Sequence, residues 1–537
     1  MRTTLAGSSR ALAAALWALG MAVSASAQSL PVGEPHEDYL RILQILGQAD
    51  AGSFTVRPLT SEGALILGAS HPWGARFQPA SREASYLGGM QITEPRLRAF
   101  ANSRFPFGQN DGAVWQGKGL TSALDFGGTG RWRGLTVTLN PTLLYTQNSS
   151  FELAPVTVLG MPEYAYAWRK IDMPQRFGPE AFWTLDPGQS EVRLDVLGAT
   201  LGVSTANMWW GPGIRNAIIM SNNAPGFRHA FLGTDGQLDT GIGGFELRWI
   251  WGNLGQSDWF DPTVMGTERF ITGVAATYSP RLLKGLSLGL TRVFYVLRPA
   301  GGIELGDYFA VLQGVRKKAL VSPQNPTGDD EHDQLLSLVG RWVLEESGFE
   351  VYWEWARNDH SWEIRDFLLE PEHSQAYTIG LQKAMATSQG RLIAIRAELT
   401  HLEADPTYQV RPKGTYYEHG SVTQGYTQKG QIIGAGIGPG GNSQHLGADL
   451  YAPWGRAGVY VERQVHDNDA YYAWAQANGA AYCCHNVSFN LGTQALVFLN
   501  DFDLGGGLVL TREFNRYFFG LDLWNVNLSL SARWRRR

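Results

Sequence analysis

The sequence is poor in charge. Asp, Glu, Lys and Arg make up 17% of the 537 residues, against 44% hydrophobic residues, whereas a typical soluble domain carries about 25% charged residues. The 44 Lys and Arg are set against 49 Asp and Glu and form no basic block, so nucleic acid is not an expected partner. Cysteine is nearly missing: Cys483 and Cys484 are the only two and are adjacent, which excludes a disulfide framework. Beyond the N-terminal leader there is no apolar run of about 18 residues, which excludes a membrane helix. The sequence holds neither an HExxH motif nor a nucleophile-elbow serine. It also lacks the repeat of roughly 40 to 50 residues that marks propeller blades.

The first 27 residues read as a signal peptide. Arg2 and Arg10 form a basic start, residues 11–23 are uncharged and apolar, and Ala25-Ser26-Ala27 is a small-residue cleavage site before Gln28. Removing a leader with two arginines and no acid takes the net charge from −5 to −7. The exported chain is then either soluble or a closed barrel, because only helices and closed barrels cross a bilayer.

One helix is expected near the start, where Tyr39, Ile42, Leu43 and Leu46 form a single apolar stripe. Glu37 and Asp38 suit its first turn and Gly47 its end. Residues 54–66 read as more extended and 71–74 as a turn, so residues 28–95 form a small periplasmic segment with a short helix. From residue 96 the period changes to two. Leu135, Val137 and Leu139 alternate with Thr136, Thr138 and Asn140, and Val192, Leu194 and Val196 flank Arg193 and Asp195. Phe245, Leu247 and Trp249 alternate with Glu246 and Arg248, and Val351, Trp353 and Trp355 with Tyr352 and Glu354. Such strands have one apolar and one polar face.

The last strand is the cleanest. Trp524, Val526, Leu528, Leu530, Ala532 and Trp534 are apolar, and Asn525, Asn527, Ser529, Ser531, Arg533 and Arg535 polar. An aromatic residue at each end fits the two interfacial girdles of a membrane strand. Arginine is expected to be costly at Leu528 in the lipid-facing row and mild at Asn527 in the polar row. At roughly 10 residues per strand and about 14 per pair of connections, residues 96–537 make a transmembrane antiparallel β-barrel of about 18 strands. A soluble all-β protein is the alternative on these features alone.

Several segments resemble the Wzi family of capsule assembly proteins. The most specific runs Met208-Trp209-Trp210-Gly211-Pro212-Gly213-Ile214-Arg215-Asn216-Ala217-Ile218-Ile219-Met220-Ser221-Asn222-Asn223-Ala224-Pro225-Gly226. Residues 105–112, 245–251, 256–260, 349–360 and the glycine-rich 424–449 are similar to the family as well. The resemblance implies an 18-stranded outer-membrane barrel with a helical periplasmic part, and a lectin-like, non-catalytic role in holding or assembling capsular polysaccharide. It places the chain in the outer membrane of a Gram-negative bacterium. Two features depart from the family: a single N-terminal helix in place of a bundle, and a chain ending Trp534-Arg535-Arg536-Arg537, not on an aromatic residue.

Candidate sites follow. In the 208–226 block, Gly211, Pro212 and Gly213 make a turn. Trp209 and Trp210, taken as strand neighbours, point to opposite faces, so one faces the lumen. With Asn216, Asn222 and Asn223 that ring makes either a sugar platform or a structural constriction whose amides tie the inner wall together. Asp258 and Trp259, beside Gln256, Ser257 and Asp261, form either a binding loop or part of a girdle. The acidic run 327–333 reads as a solvated outer loop without EF-hand spacing. Asp359-His360, His373, His401 and His419 are scattered and support no catalytic set. Cys483-Cys484 reads as a loop feature; in an oxidising compartment the pair can close a strained ring. No cofactor and no metal is expected. The expected partners of a monomeric barrel are extracellular polysaccharide, outer-membrane lipid and the barrel assembly machinery, which would read Trp534. The rival functions are an open channel for small solutes and a secreted glycan-acting enzyme.

Overall fold

The computed structural model describes residues 29–60, 65–66, 71–74, 76, 90–261, 263, 268–298, 301–312, 332–358, 368–405, 414–478 and 484–535. The leader at 1–27, most of the acidic run, Asp359-His360 and Cys483 lie outside the described residues; Cys484 is disulfide-bonded.

Among the described residues, 18 antiparallel strands close a barrel. The first five are β1 (Met90–Asn102), β2 (Gly119–Trp132), β3 (Leu135–Leu139, continued by Thr142–Thr146), β4 (Phe182–Asp186, continued by Glu191–Val196) and β5 (Ala199–Ser204). Next come β6 (His229–Thr234, continued by Leu238–Asp239), β7 (Gly243–Leu254), β8 (Arg269–Pro280), β9 (Leu286–Leu297), β10 (His332–Leu344) and β11 (Phe349–Asn358). The wall is completed by β12 (Gln375–Ala386), β13 (Leu392–His401), β14 (Asn442–Ala452), β15 (Gly455–His466), β16 (Asn486–Leu499), β17 (Phe502–Arg516) and β18 (Leu521–Trp534). Closure comes from β18 on β1, with Asn527 opposite Asn102 and Arg533 opposite Arg96. Among the described residues, closure leaves no wall strand with an open edge.

The period-two patterns have the expected faces. Trp524, Val526, Leu528, Leu530 and Trp534 are exposed on the outer wall, while Asn525 and Asn527 are buried inside. Val192 and Leu194 point out and Arg193 and Asp195 in; Val351 and Trp353 point out and Tyr352 and Glu354 in. Short turns join the strands at the end where β1 begins and β18 finishes, and the long connections lie at the other end. In outer-membrane barrels those ends are periplasmic and extracellular respectively.

The lumen is largely filled. Helix α1 (Pro35–Ile45) stands inside the short-turn end. Its stripe packs on inward-facing Ala384, Leu392, Ala394, Tyr451 and Leu496, and Trp73 stacks on Tyr39 at 4.1 Å. Gly47, at φ +68°, ends the helix in the left-handed conformation that glycine adopts without strain. The polar side of α1 is buried too. Arg41 pairs with Glu350 of β11, and Asp38 with Arg396 and Arg456 at 3.2 and 3.0 Å. The described part of the N-terminal segment, expected as a small periplasmic segment with a short helix, packs within the barrel's short-turn end, because both faces of its helix find partners on the inner wall. The expected boundary at residue 96 falls inside β1.

One expectation about the polar row is corrected. Asn527 borders the cavity but is only 5% exposed: its amide donates to Asn102 Oδ1 at 2.9 Å and Gln116 Oε1 at 3.0 Å, because the connection 103–118 folds in against it. Ser529, one rung along, borders open space. Leu528→Arg should therefore cost about 2–4 kcal/mol near the membrane midplane, and Ser529→Arg little. A folding titration in lipid checks this; equal tolerance of the two substitutions would contradict the assigned faces.

Candidate functional site

The connection 205–228 runs from the extracellular end down into the lumen. There Trp209 and Trp210 form a two-residue strand that pairs with Arg57 and Val56 of the N-terminal segment. Gly211 donates to Thr55 O at 2.9 Å with φ +122°, and a Cβ there would lie 2.9 Å from Glu354 Oε2. Pro212 O accepts from Arg41 at 2.6 Å. Beyond the turn, the backbone N–H groups of Ile214, Arg215 and Asn216 donate to Glu398 of β13, at 2.6, 3.1 and 2.8 Å. Ile218 N donates to Glu354 of β11 at 3.0 Å, and the Tyr352 hydroxyl to Glu398 at 2.8 Å. Two wall carboxylates therefore hold the turn by its main chain.

The two tryptophans do not divide between lumen and membrane, because they stand on this internal strand and not in the wall. Trp209 is 3% exposed, with the Arg57 guanidinium over its ring at 4.7 Å and Val32 and Ala217 beside it. Trp210 is fully buried in the apolar lumen core against Gly273 of β8. Neither ring offers a free face. Asn216 is closed off as well: it accepts from Gln109 at 2.8 Å and donates to Ser443 at 3.2 Å. Asn222 and Asn223 border the main cavity, but their amides donate to Asn110 O and Ile432 O, both at 3.0 Å. Asp258 and Trp259 belong to a different connection and do not line that cavity. Asp258 is exposed, and Trp259 meets Tyr164 edge-on at 5.3 Å. His373 sits 3.5 Å from Glu370, His401 stacks on Tyr377, and His419 accepts from Val422 N at 3.3 Å. No group of three metal-liganding side chains occurs among the described residues.

The open space lies elsewhere. A cavity of about 1080 Å³ follows the inner wall along β15–β18, β1 and β2. Small residues, Gly505, Gly507, Ser529 and Ser531, line its middle, and Glu34 with Arg96 and Arg533 its periplasmic end. Burial alone would raise the Glu34 carboxyl, but Arg533 and Arg96 overcome this and hold it well below the usual carboxylate range.

At the extracellular mouth stand Tyr166, Trp168, Arg516, Tyr517 and Phe518. Here a ring cluster emerges at the rim. Trp168 lies 5.2 Å from Phe518 and 6.2 Å from Phe519; Tyr471 lies 5.7 Å from Phe518, 5.4 Å from Tyr472 and 4.0 Å from His485. Phe519 and Tyr472 are exposed and Trp168 is partly so. Tyr517 and Phe518 have φ of +59° and +65°, a strained conformation for aromatic residues that only the surrounding structure can maintain. These residues were not singled out from the sequence. The available signal was three consecutive aromatics, Tyr517-Phe518-Phe519, in a hairpin turn where Asn and Gly are the usual choice.

The loops around this mouth are pinned by charge. Arg169 donates to Asp467 Oδ1 at 2.6 Å and to Thr415 at 2.9 Å, and pairs with Glu418. Tyr166 donates to Asp467, and Ala404 N to Asp469 at 2.9 Å. Burial pushes both the Asp469 and Glu418 carboxyls up to about 7.

Removing Glu398 as alanine leaves three main-chain donors and one hydroxyl without their acceptor. We expect a loss of about 3 kcal/mol or more, with a smaller loss for Glu398→Gln, in thermal unfolding of the purified barrel. The pinned loops carry a pH signature of definite sign. Acids whose folded pKa is raised bind protons more tightly when folded, so their contribution falls as pH rises from about 4 to about 7 and is flat above. Hydrogen exchange corrected for intrinsic rates should show residues 402–405, 414–441 and 467–478 better protected at pH 5 than at pH 8. Asp469→Asn should flatten the difference, whereas protection that grows with pH would contradict the assignment.

Residues 107–451 match the family model described as capsule assembly protein Wzi. No curated protein sequence matches the chain. Among solved structures, Wzi of Escherichia coli, described as an outer-membrane protein involved in group 1 capsule assembly and a carbohydrate-binding β-barrel, aligns over 95% of this chain and 100% of its own, at 14% identity and a TM-score of 0.61. OccK2 of Pseudomonas aeruginosa in complex with glucuronate aligns over 84% of this chain and 99% of its own, at 11% identity and a TM-score of 0.41. With the closed 18-stranded barrel and a family match over most of the wall, this outer-membrane chain belongs to the Wzi capsule assembly family.

Proposed function

We propose that this barrel holds capsular polysaccharide at the cell surface, as a monomer and without making or breaking bonds in the glycan. The observation that carries the reading is the aromatic cluster at the extracellular mouth, where Phe519 and Tyr472 are exposed beside a polar cavity entrance. Exposed rigid rings present apolar faces to sugar C–H groups at little entropic cost. Neighbouring Asp467, Arg516 and His466 line the same mouth and supply polar partners for hydroxyls. The description of the solved Wzi barrel as carbohydrate-binding supports the same reading. Assembly into the membrane would use Trp534, an exposed aromatic on the last strand, as the residue read by the barrel assembly machinery.

The test is retention of the cell's own surface polysaccharide. Phe519→Ala and Trp168→Ala should each weaken it by about 3- to 10-fold, corresponding to ring contacts of roughly 0.5–1.5 kcal/mol, while the melting temperature stays near that of the wild type. Trp209→Ala should instead lower the melting temperature. Wild-type retention by the Phe519→Ala, Trp168→Ala double variant would overturn the placement of the site.

A further inference from the structure

The connection between β9 and β10 does not stay above the barrel. Its residues 308–311 lie against the outer wall, on the face of β7–β9. Trp251 Nε1 donates to Tyr308 O at 2.8 Å, and Arg292 Nη1 to Val311 O at 3.0 Å. Phe309 meets Trp249 edge-on at 5.6 Å, Tyr308 meets Phe270 at 5.1 Å, and Ala310 and Val311 bury Phe294. These wall residues alternate with inward-facing Ile250, Ile271 and Val293, so they point toward the membrane.

The segment leaves an apolar surface uncovered. Leu305 is 76% exposed, Leu312 67% and Phe309 47%. This surface continues an interface already defined. Two and four residues further down β9, on the same face as Arg292, the exposed residues Leu290 and Leu288 belong to the lipid-facing band, and Leu338 lies opposite Leu290. Arg292 also donates to Gln334 at 3.0 Å, so the segment screens a polar pair that bare lipid would leave costly.

Directly above, the same outward row ends in charge. Arg228 and Arg298 both pair with Glu268 at 3.2 Å, leaving two cations against one anion at the extracellular rim. Glu268 and Phe270 share a strand face, as do Arg298 and Val296, so the arginines cap the aromatic patch. The Arg228 side chain is largely exposed and that of Arg298 about half exposed. A guanidinium is well suited to phosphate.

We propose that this face binds a phosphate-bearing, multiply acylated lipid of the extracellular leaflet. Its acyl chains lie on Leu305, Phe309 and Leu312, and its phosphate lies against Arg228 and Arg298. Continuity with the lipid-facing band selects lipid over a second copy of the chain.

The experiment uses the full mature protein in detergent, titrated with bisphosphorylated lipid A, with its dephosphorylated form and with inorganic phosphate. Binding is read by native mass spectrometry. The Arg228→Gln, Arg298→Gln double variant should bind lipid A at least 5-fold more weakly and leave the dephosphorylated form unaffected. Leu305→Asn with Leu312→Asn should weaken both lipids, and inorganic phosphate alone should not compete. A fluorophore on Leu312→Cys in vesicles should be quenched by spin-labelled lipid and not by aqueous iodide. Unchanged lipid A binding in both double variants, full competition by inorganic phosphate, iodide quenching, or dimers that bury the segment would each overturn the proposal.

Discussion

The wall of this barrel turns carboxylates inward, and those carboxylates decide what the lumen contains. Glu246 on β7, Glu350 and Glu354 on β11 and Glu398 on β13 are all buried. A buried carboxylate without partners is strongly destabilising. Each takes donors from a segment folded in from outside the wall, beside wall donors such as Arg341 for Glu350, Thr277 for Glu246 and Tyr352 for Glu398. Ser53 serves Glu246, Arg41 serves Glu350, and the main chain of 214–218 serves Glu398 and Glu354. The two inserted segments are also bonded to each other, through Gly211 to Thr55 and Arg41 to Pro212. Neither can leave without taking donors from the wall carboxylates and partners from its neighbour, so the N-terminal segment and the 205–228 connection act as one insert.

The insert fills the lumen unevenly. Toward β7–β11 it is apolar: Trp210, Ile218, Ile219 and Met220 pack with wall residues Ile250, Ile271, Val293 and Leu335. A barrel of about this strand number leaves an aqueous channel unless something occupies it, and here a hydrophobic core occupies one side. Toward the middle of the β18–β1 seam the wall residues are small and border open space; the insert meets that side at the periplasmic end, where Glu34 pairs with Arg96 and Arg533. The cavity is what remains between the two, polar and open to the rim where loops and wall both end.

Much of this was legible from residues alone, and the rest failed for a common physical reason. Wall strands reveal themselves because lipid demands apolar residues at every second position, and Trp524 to Trp534 obey that demand. The stripe of α1 was legible too, but its destination was not, since the sequence pattern is the same whether a helix packs beside a barrel or within it. Trp209 and Trp210 misled because opposite-face alternation applies to a strand with two distinct environments; inside the lumen both sides of a strand are protein. Asn527 misled likewise: a polar inward position signals that lipid is absent, not that water is present. The rim cluster escaped notice because loop composition is unconstrained by period, leaving only the unusual aromatic turn 517–519 as a trace.

The geometry also bears on where a polymer can be held. A repeating glycan cannot be swallowed by a cavity of about 1080 Å³ whose inner end is crossed by the Glu34, Arg96 and Arg533 cluster, because most of its length must remain outside. What suits a polymer is a contact at the mouth that takes one short stretch at a time. Such a contact can be weak: about 4 kcal/mol corresponds to a Kd near 1 mM. Once one stretch is held, the next copy of the repeat reaches a neighbouring barrel at a high effective concentration, and retention grows by multiplication without any single tight site. In the proposed role, a firmly packed insert and pinned loops would serve this arrangement, since a rim that does not reorganise on contact keeps what little binding energy each sugar provides.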